Sequence, residues 1–293
     1  MAAFTLAHLS DPHLPPLPAP KPYELLGKRA LGYLNWTRNR HQYHRRDVLD
    51  TLVSDLQAQV PDHIAVTGDL VNLALEAEFP RARAWLESVG APDRVTAIPG
   101  NHDAYVRATC HRIAQDWAAY LSGDDDSLGF PSLRRRGPLA LISLSSAVPT
   151  LPFMATGTLG GQQLEALERL LTQLSTEQSF RVLLVHHPLR SKSGMKRLTD
   201  APALLALLKR HGVDLVLHGH DHIHSTIRID GPDSAIPVVG VPSASARAHG
   251  HTPDAAYNLF SIRREGNGWR CDMTVRGIDD KLRVREIRRT RLI

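Results

Sequence analysis

His63-Ile-Ala-Val-Thr-Gly-Asp69 is an apolar, mostly β-branched run that breaks at a glycine and ends on a carboxylate. Such a run reads as a short buried strand with an acidic residue at its carboxyl end. The same arrangement recurs on either side. Residues 3–9 alternate and end at Ser10-Asp11-Pro-His13. Val95-Thr-Ala-Ile98 ends at Pro99-Gly100-Asn-His-Asp103. Residues 181–185 lead into His186-His-Pro188, and Asp214-Leu-Val-Leu217 leads into His218-Gly-His-Asp-His222. Helical spacing fills the gaps, most clearly at 45–59, where Val48, Leu49, Leu52, Val53 and Leu56 recur on one face. Helices are also predicted over 76–89, 104–121, 161–174 and 200–211.

Alternating strands and helices predict an α/β layered fold. In open α/β sheets, sites lie beyond the carboxyl ends of strands, where all five clusters fall. After His222 the rhythm changes: strands are predicted at about 225–230, 236–241, 257–263 and 269–276 without long helices between them. That switch predicts an antiparallel portion, so two mixed β-sheets in a sandwich flanked by helices fit the pattern. We read 1–293 as a single domain with a basic, aromatic insert at about 14–46 and a basic tail at about 279–293.

Composition excludes several classes. A chain of 293 residues with 42% hydrophobic content has the length to bury a large core. No apolar run reaches the ~20 residues of a membrane span, and the N-terminus does not read as a secretory signal. Two cysteines, Cys110 and Cys271, are too few for a disulfide framework, which points to a cytoplasmic home. The net charge of +5 favours anionic partners without choosing among them.

Each cluster alone is a poor metal site; together they supply carboxylate, imidazole and amide groups enough for two ions. Mixed O/N ligands without thiolate suit Mn, Fe, Zn or Co. Two adjacent metals hold a phosphate ester and generate a hydroxide to attack it.

The ordered series D-x-H, G-D, G-N-H-D, H-x-P and G-H-x-H resembles the calcineurin-like metallophosphoesterase superfamily, over Asp11 to His222. The resemblance implies a first metal on Asp11, His13, Asp69 and His222, and a second on Asp69, Asn101, His186 and His220. Asp69 would bridge both. It selects His186 over His187 as the ligand, and leaves His187 either to contact substrate or to pack. It places His102 to protonate the leaving alkoxide or stabilise its charge. Asp103 either orients His102 or caps the helix over 104–121, and its position favours the cap.

Substrate is read from what is missing. Gly68-Asp-Leu-Val-Asn-Leu-Ala lacks the G-D-x-V-D-R-G run of protein phosphatases. H-H-P replaces the H-Q of related DNA repair nucleases, and no nucleic-acid-binding appendage is visible. The motifs are most similar to bacterial class III cyclic-nucleotide-type phosphodiesterases and glycerophosphodiesterases, which implies hydrolysis of phosphodiester bonds in a small substrate such as a cyclic nucleotide or a glycerophosphodiester. A second reading comes from 24–46, where Lys28, Arg29, Arg38, Arg40, Arg45 and Arg46 stand against Glu24 alone and interleave with Leu25, Leu26, Leu31, Tyr33, Leu34 and Trp36. This segment is similar to a branch that cleaves UDP-2,3-diacylglucosamine. It fits a lid over a lipid substrate, a contact with the inner membrane surface, or a dimer contact, but a solvated helix with a core-facing stripe is the simpler reading. A scaffold of the same fold, catalytically silent, is the non-enzyme alternative. Gly123-Asp-Asp-Asp-Ser127 with Arg134-Arg-Arg136 reads as an exposed loop. The alternation from Leu282 predicts an edge strand, an oligomer arm or a disordered basic tail.

Overall fold

The computed structural model describes residues 3–293. Two six-stranded mixed sheets pack face to face. The first runs β12 (Val284–Arg291), β11 (Gly268–Ile278), β10 (Ala256–Glu265), β1 (Phe4–Leu9), β2 (His63–Val66), β3 (Val95–Ala97). The second runs β4 (Ser132–Arg136), β5 (Leu139–Ser143), β6 (Phe180–Leu184), β7 (Leu215–His218), β9 (Ile236–Gly240), β8 (Ser225–Ile229). β1, β2 and β3 are parallel, as are β5, β6, β7 and β9, so their carboxyl ends gather along one edge of the sandwich. Among themselves the strands after His222 pair antiparallel, as predicted, while β9 also joins β7 in parallel.

Of the seven α-helices among the described residues, α1 (Lys28–Asn35) and α2 (His41–Tyr43) belong to the insert and flank a π-helical turn, Trp36–Arg40. α3 (Arg46–Ala58), α4 (Glu78–Val89) and α5 (Cys110–Leu121) cover the first sheet; α6 (Gly161–Leu174) and α7 (Ala201–His211) cover the second. α3 buries Val48, Leu49, Leu52, Val53 and Leu56, the face its periodicity marks. A third core, with Leu6, Leu141, Phe180, Leu215 and Phe260, lies between the sheets. Four layers result: helices, sheet, sheet, helices.

Two expectations are corrected and one is narrowed. The helix drawn over 104–121 begins only at Cys110, after a 3-10 turn at Arg107–Thr109, because residues 101–106 are taken up by the turn that presents the third cluster. The arginine run at 134–136 is not an exposed loop but strand β4. Arg134 is buried and donates to the carbonyls of Ala119, Ser122, Pro92 and Val95. It thereby satisfies carbonyls left open at the end of α5. The tail forms β12, an edge strand.

Asp55 fastens α3 to the first sheet. It accepts two N–H bonds from Arg276 (2.8 and 2.7 Å) and the Tyr257 hydroxyl (2.6 Å). Burial opposes its ionisation, but the hydrogen bonds from Arg276 and Tyr257 more than offset this and hold the carboxyl below its usual range. A depressed carboxylate pKa stabilises the fold above the unfolded value of about 4, and the gain is lost as pH falls through the folded value. Asp55→Asn is therefore expected to cost about 2 kcal/mol in urea unfolding at pH 7, with the gap to wild type closing toward pH 3. A gap that stays constant over that range would contradict the assignment.

Candidate metal centre and its cavity

The loops after β1 and β2 run side by side, tied by Asp11 N–H to Gly68 O (2.9 Å), His13 N–H to Asp69 O (3.0 Å) and Leu14 N–H to Leu70 O (2.9 Å). The second sheet joins through Gly219 N–H to His186 O (3.1 Å) and His220 N–H to the Asp11 carboxylate (3.0 Å). Glycine is required where these loops close. A Cβ on Gly68 would lie 2.6 Å from the Gly100 nitrogen and 2.8 Å from His186 Nδ1. All five clusters thus meet on the edge where the parallel strands end.

The side chains fall into two groups that share Asp69. Ligand-type atoms of Asp11, His13, Asp69 and His222 lie within 4.8 Å of one another, as do those of Asp69, His186 and His220. Asp69 Oδ2 stands between them, 3.7 Å from His13 Nε2 and 3.4 Å from His186 Nε2. Asn101 Oδ1 joins the second group, 3.2 Å from His186 Nε2 and 2.8 Å from His220 Nδ1. Asp11, His13, His186 and Asp69 are buried, while His222 is partly open.

These residues fit metal ions on the structure's own evidence. His13 Nδ1–H is committed to Val71 O and His186 Nδ1–H to Thr67 O, which aims each Nε2 inward. His13 Nε2 and His222 Nε2 then face each other at 3.2 Å, with Asp11 Oδ1 at 3.2 Å from the latter. Converging acceptors of this kind call for a cation. His220 Nε2 is buried with no partner. Burial resists charging His186, but the Asp69 carboxylate overcomes it and drives the pKa up to about 10. Buried carboxylate charge draws positive charge into the site.

Five of the residues do this from a left-handed backbone: Asp11 (φ 52°), His13 (38°), Asp69 (55°), His220 (70°) and His222 (56°). Asp and His tolerate this region better than most residues, but it is sparsely populated and clusters at functional sites.

Asp103 neither caps a helix nor touches His102. It is buried and accepts N–H bonds from Asp69 (2.9 Å), Val71 (3.0 Å) and Gly100 (2.7 Å), so it clamps the second cluster to the third. Burial and the Asp69 charge push its carboxyl up to about 8, against the pull of the Gly100 and Val71 donors.

His102 is held at its backbone N–H and at both ring nitrogens. Its backbone N–H donates to Asp69 Oδ1 (2.7 Å) and its Nδ1–H to Asn72 O (2.6 Å), while Nε2 receives Arg40 at 3.2 Å. Burial pushes its pKa down to about 4; the Asp69 charge resists and the Arg40 charge assists. The permanent positive charge at this edge belongs to Arg40. His187 is fully buried, with Nδ1 on Ser146 Oγ (2.7 Å) and Nε2 donating to Ala155 O (3.2 Å).

The insert lies against this site. Arg29 anchors it by donating to the carbonyls of Leu73 and Ala74 and to Thr109 Oγ1. His44 bonds Ser245 Oγ (2.8 Å) and forms a third cluster with His13 and His222. Motif reading did not single out His44, because an isolated histidine in a basic run carries no spacing signal. An open cavity of about 200 Å³ borders Asn101 and His102, with Lys28, Trp36 and Arg40 of the insert along its wall.

Comparison with known proteins fits this geometry. Residues 4–224 match the model of the family described as calcineurin-like phosphoesterase. The chain belongs to that family. A relative within reach of this calcineurin-like phosphoesterase is a probable cyclic nucleotide phosphodiesterase of Synechococcus sp., 31% identical over 173 residues. The match spans 57% of this chain and 60% of that protein. Among solved structures the fold is similar to a dimetal phosphatase from Danio rerio (TM-score 0.65, 14% identity, 98% of this chain and 99% of that one). It is also similar to purple acid phosphatase PPD1 from yellow lupin (TM-score 0.63, 14% identity, 94% and 52%). Among the described residues of this phosphoesterase, no helix is long and apolar enough to cross a membrane.

Proposed function

We propose that this calcineurin-like phosphoesterase is a two-metal phosphodiesterase for small molecules. The observation that carries the reading is Asp69 Oδ2, placed between His13 and His186 so that one oxygen serves both groups. Asp11, His13, Asp69 and His222 would hold one ion; Asp69, Asn101, His186 and His220 the other. Metal ions there supply charge for the phosphoryl oxygens and lower the pKa of a water that attacks phosphorus. His102 borders the reacting centre, fixed by Asn72 O and Asp69, and presents Arg40 beside it. The Synechococcus relative's name supports the diester, and the presence of all seven candidate ligands and His102 speaks against a silent scaffold.

The test is metal analysis of the purified protein and turnover with manganese on a bis-aryl phosphate, an aryl monophosphate, cyclic AMP and a glycerophosphodiester. Two metals per chain and preference for diesters are expected. Preference for the monoester would defeat the diesterase reading, and absence of both metal and turnover would defeat the enzyme.

A further inference from the structure

Of the insert's cations, Arg45 pairs with Asp47, Arg46 with Asp50 and Lys21 with Glu76. Arg38 is exposed to solvent, and Arg29 is engaged by backbone carbonyls and Thr109. Lys28 and Arg40 turn inward to the cavity beside Asn101 and His102, whose lining includes no acidic residue. Lys28 Nζ donates to Thr150 Oγ1 (2.8 Å) and the Met154 carbonyl (3.3 Å) and lies 4.3 Å above the Tyr105 ring. It has three N–H donors, so one stays open to the cavity. Arg40 reaches His102 Nε2 (3.2 Å) and His44 Nε2 (3.4 Å), both imidazoles rather than carboxylates. Among the described residues, neither cation forms an ion pair. The carboxylate acting on both is Asp69, whose charge would be taken up by the candidate metal ions, so cations held this way favour an anion from outside the chain.

We propose that Lys28 and Arg40 form a subsite for a second anionic group of the substrate, beside the phosphorus that is hydrolysed. This rests on the phosphodiester reading above and narrows it. A simple diester brings one negative charge, which belongs at the metal centre, and offers these cations only a neutral substituent. A substrate with a further phosphoryl or carboxylate group meets them directly. Guanidinium and ammonium groups bind such oxygens through charge-assisted hydrogen bonds. Trp36 and Tyr105 wall the same cavity and accommodate a flat group attached to that anion.

Two measurements test the assignment on the full chain. The first compares kcat/KM for a dinucleoside diphosphate and for a bis-aryl phosphate in wild type, Lys28→Gln, Arg40→Gln and Arg40→Lys. Lys28→Gln is expected to lose ~10–100-fold on the diphosphate and less than ~3-fold on the aryl diester. Arg40→Gln also frees His102 Nε2, so it is expected to slow both substrates but to lose at least ~10-fold more on the diphosphate than on the aryl diester, with that extra loss partly restored in Arg40→Lys. The second is calorimetric binding to the metal-loaded protein of ADP against AMP, and of phosphonoacetate against methylphosphonate. A gain for ADP that disappears in the variants identifies a phosphoryl group; a gain for phosphonoacetate alone identifies a carboxylate. Equal losses on both diesters, or no variant-dependent gain for either pair, would overturn the subsite. If wild type hydrolyses no diester at all, the phosphodiesterase reading fails while the binding comparison still decides the subsite.

Discussion

Asp69→Asn is expected to reduce diester turnover by at least ~10³-fold and to lower bound metal from two ions to one or fewer per chain. The substitution keeps size and tolerates the left-handed backbone at this position (φ 55°). Its effect therefore falls on charge and on the shared oxygen. Oδ2 lies within 3.7 Å of nitrogen atoms in both groups, while Oδ1 accepts the His102 N–H at 2.7 Å. An amide offers one oxygen. If that oxygen keeps His102 in place, an NH₂ group points at two sets of ligand lone pairs; if it turns inward, the His102 N–H is left unpaired. Losing electrostatic stabilisation of this kind costs about 4 kcal/mol, which is ~10³ in rate. Metal analysis with steady-state kinetics reads both effects. A variant that holds two ions at wild-type turnover would remove Asp69 from the centre.

Asp103→Asn is expected to reduce stability by about 3 kcal/mol, and turnover on its own by ~10²-fold, although the side chain faces no substrate. The carboxyl group receives three backbone N–H groups from two loops. An amide leaves at least one of these buried donors against its own NH₂ group, and an unmet buried donor costs about 1–3 kcal/mol. The loops that slip are those carrying Asp69 and Asn101, and small displacements of a catalytic array have effects of this order on rate. Urea midpoints give the first quantity. For the second, metal affinity measured alongside kcat separates displaced ligands from simple unfolding, since a folded variant should bind metal more weakly. A wild-type midpoint would show that the clamp carries no load.

The strand-then-ligand rhythm was legible because it is local. A β-branched run ending in Gly-Asp or Gly-Asn-His states both its secondary structure and its chemistry within seven residues, and five such statements in order leave few folds. What escaped depended on partners distant in sequence. Arg134 reads as surface because its four carbonyl partners lie between 12 and 42 residues upstream. Asp103 reads as a cap because the donors it meets, in residues 69 and 71, are over 30 positions away. The 24–46 run reads as solvated since sequence cannot tell which of six cations turn inward. Lys28, Arg29 and Arg40 do, and the first and last of these now carry the substrate question.

The five left-handed residues of the metal centre bear on how such a protein changes over generations. Each holds a backbone shape that costs of order 1–3 kcal/mol unless its surroundings offset it, and each would be easier for glycine. A lineage that no longer needs hydrolysis gains robustness with every ligand it exchanges for glycine, so decay of this centre is a downhill path. Return is uphill at each step, since a single restored ligand brings strain before it brings activity. Keeping carboxylates and imidazoles at all five positions therefore carries a strain that glycine would relieve.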